Sequence, residues 1–360
     1  MFTQFDPEHI CLGCMTDQQK EGSCPHCGFD AAGYEAPQHQ LRPGSILNGK
    51  YLVGRRLDED GFDISYIGFD LNLGLRVTIR EYYPQIFVSR QASFSMSVVT
   101  PSGVQEEQYH RGLERFLHEA GILAKFHNLN GIISVKDFFA ENATAYMVTE
   151  YMEGETLKQY LAQKGGRLPM EETLALLRPV VELLTLVHNA CVIHRDIGSD
   201  NIVITKTGAK LIHFGASRMY MCEYAAVNVL LKTGYAPLEQ YQNHGELGPW
   251  TDVYALCATI YRCVTGETPP GSVERLLDDT LTTPLALGAA LAPFQQDALL
   301  KGLSVKARDR YQDIPQLVWA LQNGPPPPSL PPMKPVLLKL AGWALMVLGA
   351  ALLLKLLERG

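Results

Sequence analysis

His194-Arg195-Asp196-Ile197-Gly198-Ser199-Asp200-Asn201 is the stretch on which the fold turns. An aspartate and an asparagine separated by four residues on one loop can set a carboxylate beside a hydroxyl and an amide beside a metal ion. The stretch follows a helix-like run, Leu174 to His188, and precedes two short strand-like runs, the second carrying Lys210-Leu211-Ile212-His213-Phe214-Gly215. Beyond it come Gly234-Tyr235-Ala236-Pro237-Leu238-Glu239-Gln240, then Trp250-Thr251-Asp252-Val253-Tyr254-Ala255-Leu256, and finally Arg308-Asp309-Arg310-Tyr311. Upstream lie Val77-Thr78-Ile79-Arg80 and Arg115-Phe116-Leu117-His118-Glu119.

This order of motifs, from about Leu47 to Leu321, resembles the bacterial protein Ser/Thr kinase family, and in particular its members with an N-terminal zinc ribbon. Several motifs in fixed order are far more specific than any one of them. The resemblance implies an α+β, two-lobed protein-kinase fold with a small lobe over 47–150 and a large lobe over 151–323. It also implies roles. Asp196 matches the catalytic-loop base and Asn201 the metal-binding amide. Glu119 matches the glutamate of the small-lobe helix. Thr149, Glu150 and Met152 match the gatekeeper and hinge beside adenine. Asp252 matches the aspartate that anchors the catalytic loop, and Glu239 with Arg310 a scaffold ion pair of the large lobe.

The departures cluster in the nucleotide site. The phosphate loop of the family reads G-x-G-x-x-G, and here all three glycine positions are aspartate: Asp58, Asp60 and Asp63. Glycine is used there because the backbone approaches phosphate closely. Carboxylates add repulsion to that loss, about 1 kcal/mol per like-charge pair at 4 Å in water and more in a drier cleft. The lysine of V-A-I-K is Arg80, a planar fork in place of a compact ammonium. The D-F-G aspartate is His213, a poor ligand for Mg(II). Gly198 replaces a phosphate-contacting lysine, and Leu238 the proline of A-P-E. ATP and Mg(II) are therefore expected to bind weakly or not at all, with Asp196 and Asn201 retained for the loop's own hydrogen bonds.

The N-terminus carries a separate signal. Cys11-x2-Cys14-x9-Cys24-x2-Cys27 presents two thiolate pairs that complete a tetrahedral Zn(II) shell. All four positions are cysteine, so the site reads as structural. So short a ribbon has no core of its own, and the metal supplies its folding energy. Gly13 and Gly28 are expected at positive φ in the two turns. Met1 to Ile10 has acids, a proline and no apolar run, so no export signal is expected and clustered cysteines read as ligands before disulfides.

Residues 1–33 are thus expected to form the zinc ribbon, 34–46 a linker, 47–323 the large domain and 324–335 a proline-rich spacer. Residues 336–357 are apolar on every face apart from Lys339 and Lys355, and match the roughly 20 residues a bilayer-crossing helix needs. A C-terminal anchor in the cell membrane with the remaining domains in the cytoplasm follows as the expected arrangement. The formal charge of -7 gives no general attraction to nucleic acid, and that partner class is not expected. The leading reading is a pseudokinase that signals through a protein partner, such as an active kinase or its substrates. Two alternatives stay open: an active Ser/Thr kinase with atypical nucleotide binding, and a zinc-ribbon adaptor.

Overall fold

The computed structural model describes residues 9–17, 22–59, 61–91, 95–100, 102–126, 129–212, 214, 218–219, 231–242 and 245–324. Asp60, His213, the proline-rich run beyond Gly324 and the apolar segment 336–357 lie outside the described residues. Among the described residues no helix is long and apolar enough to cross a membrane.

The small lobe is a six-stranded antiparallel sheet in the order β1-β2-β3-β4-β6-β5. Its strands are β1 (Ile46–Leu47), β2 (Tyr51–Glu59), β3 (Asp63–Asp70), β4 (Leu75–Tyr82), β5 (Val135–Glu141) and β6 (Thr144–Glu150). One helix, α1 (Val104–Ala124), packs against the sheet. Its buried residues Phe116, Glu119, Ala120 and Leu123 recur at three- and four-residue spacing, which carries Glu119 inward on the same stripe as the apolar residues. Glu106 and Glu107 occupy the first turn, where the helix dipole favours acids.

The large lobe begins with β7 (Gly154–Thr156), α2 (Leu157–Gln163) and α3 (Met170–Asn189). The loop elements β8 (Val192–Ile193), β9 (Ile202–Thr205), β10 (Gly208–Leu211) and β11 (Arg218–Met219) come next. Then follow α4 (Pro249–Thr265), α5 (Ser272–Leu277), α6 (Pro293–Gly302) and α7 (Ile314–Asn323). Helix α4 is the axis of this lobe. It starts on Pro249, ends on Gly266 at φ 84°, and buries an unbroken run from Thr251 to Tyr261. Continuous burial explains its nearly all-apolar or small composition.

The stretch read as a linker lies against the small lobe. Gln40 and Leu41 are buried, the Leu41 N–H donates to Tyr66 Oη at 3.0 Å, and Arg90 Nη1 donates to the His39 carbonyl at 3.2 Å. Arg90 is itself buried in an ion pair with Glu81, whose oxygens also accept from Tyr66 Oη at 3.1 Å and Tyr146 Oη at 3.0 Å. A buried carboxylate satisfied on all sides gives this segment a fixed seat.

Candidate functional site

The residues of the loop from His194 to Asn201 are set by α4. The Asp252 carboxylate lies in the first turn of that helix and accepts the N–H of His194 at 2.7 Å and of Arg195 at 2.8 Å, with His188 Nε2 at 2.8 Å. Burial alone would push its carboxyl up. The hydrogen bonds and charge from His188 and His194 outweigh that and hold it below the ordinary carboxylate range. These bonds fix Arg195 at φ 72°, in the left-handed region where a side chain is unfavourable. The Arg195 carbonyl accepts Gln240 Nε2 at 2.9 Å. His194 is buried against Phe214 with ring centres 4.4 Å apart, and burial pushes its imidazole pKa down.

Asp196 and Asn201 come together as the motif spacing implies. Asn201 Nδ2 donates to the Asp196 carbonyl oxygen and to its Oδ2, each at 2.7 Å. The other carboxylate oxygen, Oδ1, pairs with Lys232 Nζ at 3.2 Å. The sequence reading missed this lysine, which belongs to the segment preceding Gly234. Gly198 is buried beneath the Tyr235 ring, which a Cβ there would meet at 3.5 Å. The cation at this carboxylate thus comes from position 232 and not from 198.

Across the cleft, Arg80 on β4 does not hold the small-lobe glutamate tightly. Its Nη2 is paired with Asp63, which opens β3, while Nη1 lies 3.9 Å from Glu119 Oε1, beyond hydrogen-bond range. Burial pushes the Glu119 carboxyl up to about 7; Arg80 pulls the other way and Asp63 adds to the rise. Asp63, at the third glycine position, therefore offers Arg80 a carboxylate where the family resemblance places phosphate. The repulsion expected from the acidic loop is cancelled at this one position. Asp58 is exposed on β2, opposite Ser65. Asp60 and His213 lie outside the described residues.

The turn between β2 and β3 is also tied down. Tyr83 and Gln85 donate their N–H groups to the carbonyls of Phe62 at 2.8 Å and Gly61 at 3.0 Å, so the turn is stitched to the chain after β4. Glu59 accepts from Gln40 at 2.7 Å, from Arg56 at 2.9 Å and from Gln85, and lies 2.8 Å from His39 Nε2. At the hinge, Thr149 is buried on β6, and Glu150 accepts from Lys210 Nζ at 2.6 Å and the Ser134 N–H at 2.8 Å. Met152 is half-buried just beyond.

The cysteine cluster forms as its spacing predicts. The four Sγ atoms all lie within 4.8 Å of one another, with Cys11–Cys27 and Cys14–Cys24 both at 3.8 Å. Zinc–sulfur bonds of about 2.3 Å in a tetrahedron require sulfurs about 3.8 Å apart, so the donor set fits Zn(II). The Gly13 N–H donates to Cys11 Sγ at 3.3 Å. The glycine expectation is half corrected. Gly28 is at φ 72°, but Gly13 is not; it is required because a Cβ would lie 2.3 Å from the Phe29 Cβ. The left-handed residue of the first turn is Met15, at φ 56°, at a cost of about 1–2 kcal/mol.

The catalytic loop anchored on a buried core helix, the two lobes and the hinge define a protein kinase fold. The chain belongs to the protein kinase domain family, whose pattern it matches over residues 89–283. Among its relatives, serine/threonine-protein kinase PknL of Mycobacterium tuberculosis is 30% identical over 238 residues, 65% of this chain and 54% of PknL. PknA of the same organism is 28% identical over 308 residues, covering 81% of this chain and 66% of PknA. The chain thus spans about half the length of PknL and just under two thirds of PknA. The solved structure PpkA-294, in its apo form, superposes with a TM-score of 0.66 at 30% identity, over 79% of this chain and 99% of that one. The PknI kinase domain of M. tuberculosis shares the fold with a TM-score of 0.58, at 19% identity over 79% of this chain and 98% of that one.

Proposed function

We propose that this is a membrane-anchored pseudokinase: a kinase-like signalling protein that has lost efficient phosphoryl transfer and acts by binding a protein partner. The carrying observation is the Asp63–Arg80 ion pair, a carboxylate seated on the cation that would meet the phosphates. The 3.9 Å separation of Arg80 from Glu119 and the stitched phosphate loop support the same reading. Phosphoryl transfer is almost wholly positioning and electrostatics, so an internal anion in that place removes both. His213 at the D-F-G aspartate position and the apolar segment 336–357 enter as sequence features only. The ribbon, kinase-like domain, spacer and anchor follow one another in that order, with Zn(II) held by Cys11, Cys14, Cys24 and Cys27.

A second reading, an active Ser/Thr kinase, is favoured by one observation: Asn201 still orients Asp196, with Lys232 beside it. Calorimetric titration of the full chain in detergent with ATP, with and without Mg(II), separates the two. No heat at millimolar nucleotide is the expected result, and Asp63→Gly should restore some binding. Tight Mg(II)-dependent binding by the unaltered chain would overturn the pseudokinase reading and call for a phosphotransfer assay with Asp196→Asn as control.

A further inference from the structure

The first metal knuckle and the nucleotide cleft share a surface. Directly paired residues of an antiparallel sheet point to the same face, as do alternate residues of one strand. The pairs Ser65–Arg80, Ile67–Thr78, Thr78–Thr149 and Leu52–Phe69 therefore put Leu52, Ile67 and Phe69 on the face that carries Arg80 and the gatekeeper. Toward the hinge this face carries Arg76, opposite Phe69, while Leu52, Ile67 and Phe69 are all buried. Their cover is Met15, buried among them, with Ile10, Leu12 and the hinge residue Tyr151 packed alongside.

The seat is specific. The Leu12 carbonyl accepts the Arg55 N–H at 2.8 Å, at the irregularity in the β2–β3 pairing, and the Gly13 carbonyl accepts Arg55 Nε at 3.0 Å. Gly54 makes room: a Cβ there would lie 2.3 Å from Met15 Cε and 2.4 Å from the Leu12 oxygen. Met15 directly follows Cys14, as Gly28 directly follows Cys27, and both are left-handed, at φ 56° and 72°. The second turn uses the residue suited to that conformation. The first keeps a strained methionine, and its side chain is the part that touches the cleft face.

We propose that the first metal knuckle is a plug for the hinge side of the nucleotide cleft, seated by Met15 and held in place by the bound metal, and that a planar heterocycle gains that face only when the knuckle lifts. This holds whether or not phosphoryl transfer survives, because it concerns the ring-binding end of the cleft and not the phosphate end. Adenosine is the appropriate probe, since it lacks the phosphates that Asp63 and Arg80 govern. Calorimetry with adenosine, zinc content and amide exchange would be measured on the full chain in detergent, as unaltered protein, Met15→Gly and Gly54→Ala.

Met15→Gly relieves the backbone strain and should keep one zinc per chain. It should also raise exchange at 52–55 and 66–69 at least tenfold, and tighten adenosine binding at least tenfold. Gly54→Ala, which leaves the knuckle's own residues intact, should do the same. Chelation should open the unaltered chain to adenosine and add nothing further in Met15→Gly. Unchanged adenosine binding in a zinc-loaded Met15→Gly chain would overturn the proposal, whatever happens to the exchange rates. So would loosening by chelation that brings no adenosine binding.

Discussion

Glu119 is buried with Arg80 only at 3.9 Å and with Asp63 adding negative charge nearby. Its folded pKa of about 7 stands above the ordinary 4.5, so the folded state binds the proton more tightly than the unfolded one. The stability this group contributes is therefore full below about pH 4.5 and is lost as pH rises through 7. Glu119→Gln should be close to neutral at pH 5 and stabilising by on the order of 1–3 kcal/mol at pH 8, as read from urea midpoints at the two pH values. The opposite trend would mean that Arg80 holds the glutamate as a carboxylate. Glu239 is a contrasting case, since Arg310 grips it in two bonds of 2.7 and 3.0 Å. Thr251 Oγ1 donates to the same carboxylate at 3.1 Å. Removing one partner of so buried a pair leaves an uncompensated charge. Arg310→Met should cost about 3–5 kcal/mol in a denaturant titration, and adding Glu239→Gln should recover part of it.

Among the elements, α4 and α6 approach closely enough that side-chain size decides their spacing. Gly302 ends α6, and a Cβ there would lie 2.2 Å from Cys257 Sγ, a fully buried group on α4. Gly302→Ala should destabilise the large lobe by about 1–3 kcal/mol through overpacking, and Cys257→Ala in the same chain should relieve it. A drop in thermal midpoint for the first variant and its recovery in the second would bear this out. The phosphate loop behaves as an element too, held by Glu59 and by the main-chain bonds to Tyr83 and Gln85. Glu59→Ala should raise amide exchange across 57–63 while leaving α3 and α4 unchanged.

At the scale of the whole molecule, the ribbon, the segment 34–46 and the small lobe behave as one packed unit. Leu41 joins the sheet's core, and Met15 covers its other face. Along the chain, the apolar segment 336–357 is separated from this unit by the large lobe and the proline-rich run. Deleting residues 325–360 should move the chain from the membrane pellet to the soluble fraction on cell fractionation. Zinc content and thermal midpoint should stay unchanged, because the four clustered cysteines and helices α1 to α7 all precede residue 325. A truncated chain that still pelleted with membranes would remove the anchor from the proposed function.

The motifs around Asp196, Asn201, Asp252, Glu239 and Arg310 made the kinase fold legible in the sequence, because each belongs to a short segment with a fixed internal spacing. The cysteine cluster was legible for the same reason, since two Cys-x-x-Cys turns carry their geometry locally. Three features depended on segments distant in sequence and were decided only by the tertiary structure. Asp63 reaches Arg80 because β3 pairs with β4. Lys232 reaches Asp196 because Leu231 and Lys232 lie beside Arg195, Asp196 and Ile197. Met15 reaches Ile67 because the ribbon settles on the sheet. Spacing along the chain reports which residue types are present and how a turn is built. Which charge meets which, and which apolar face is covered, depends on packing between elements that no local pattern encodes.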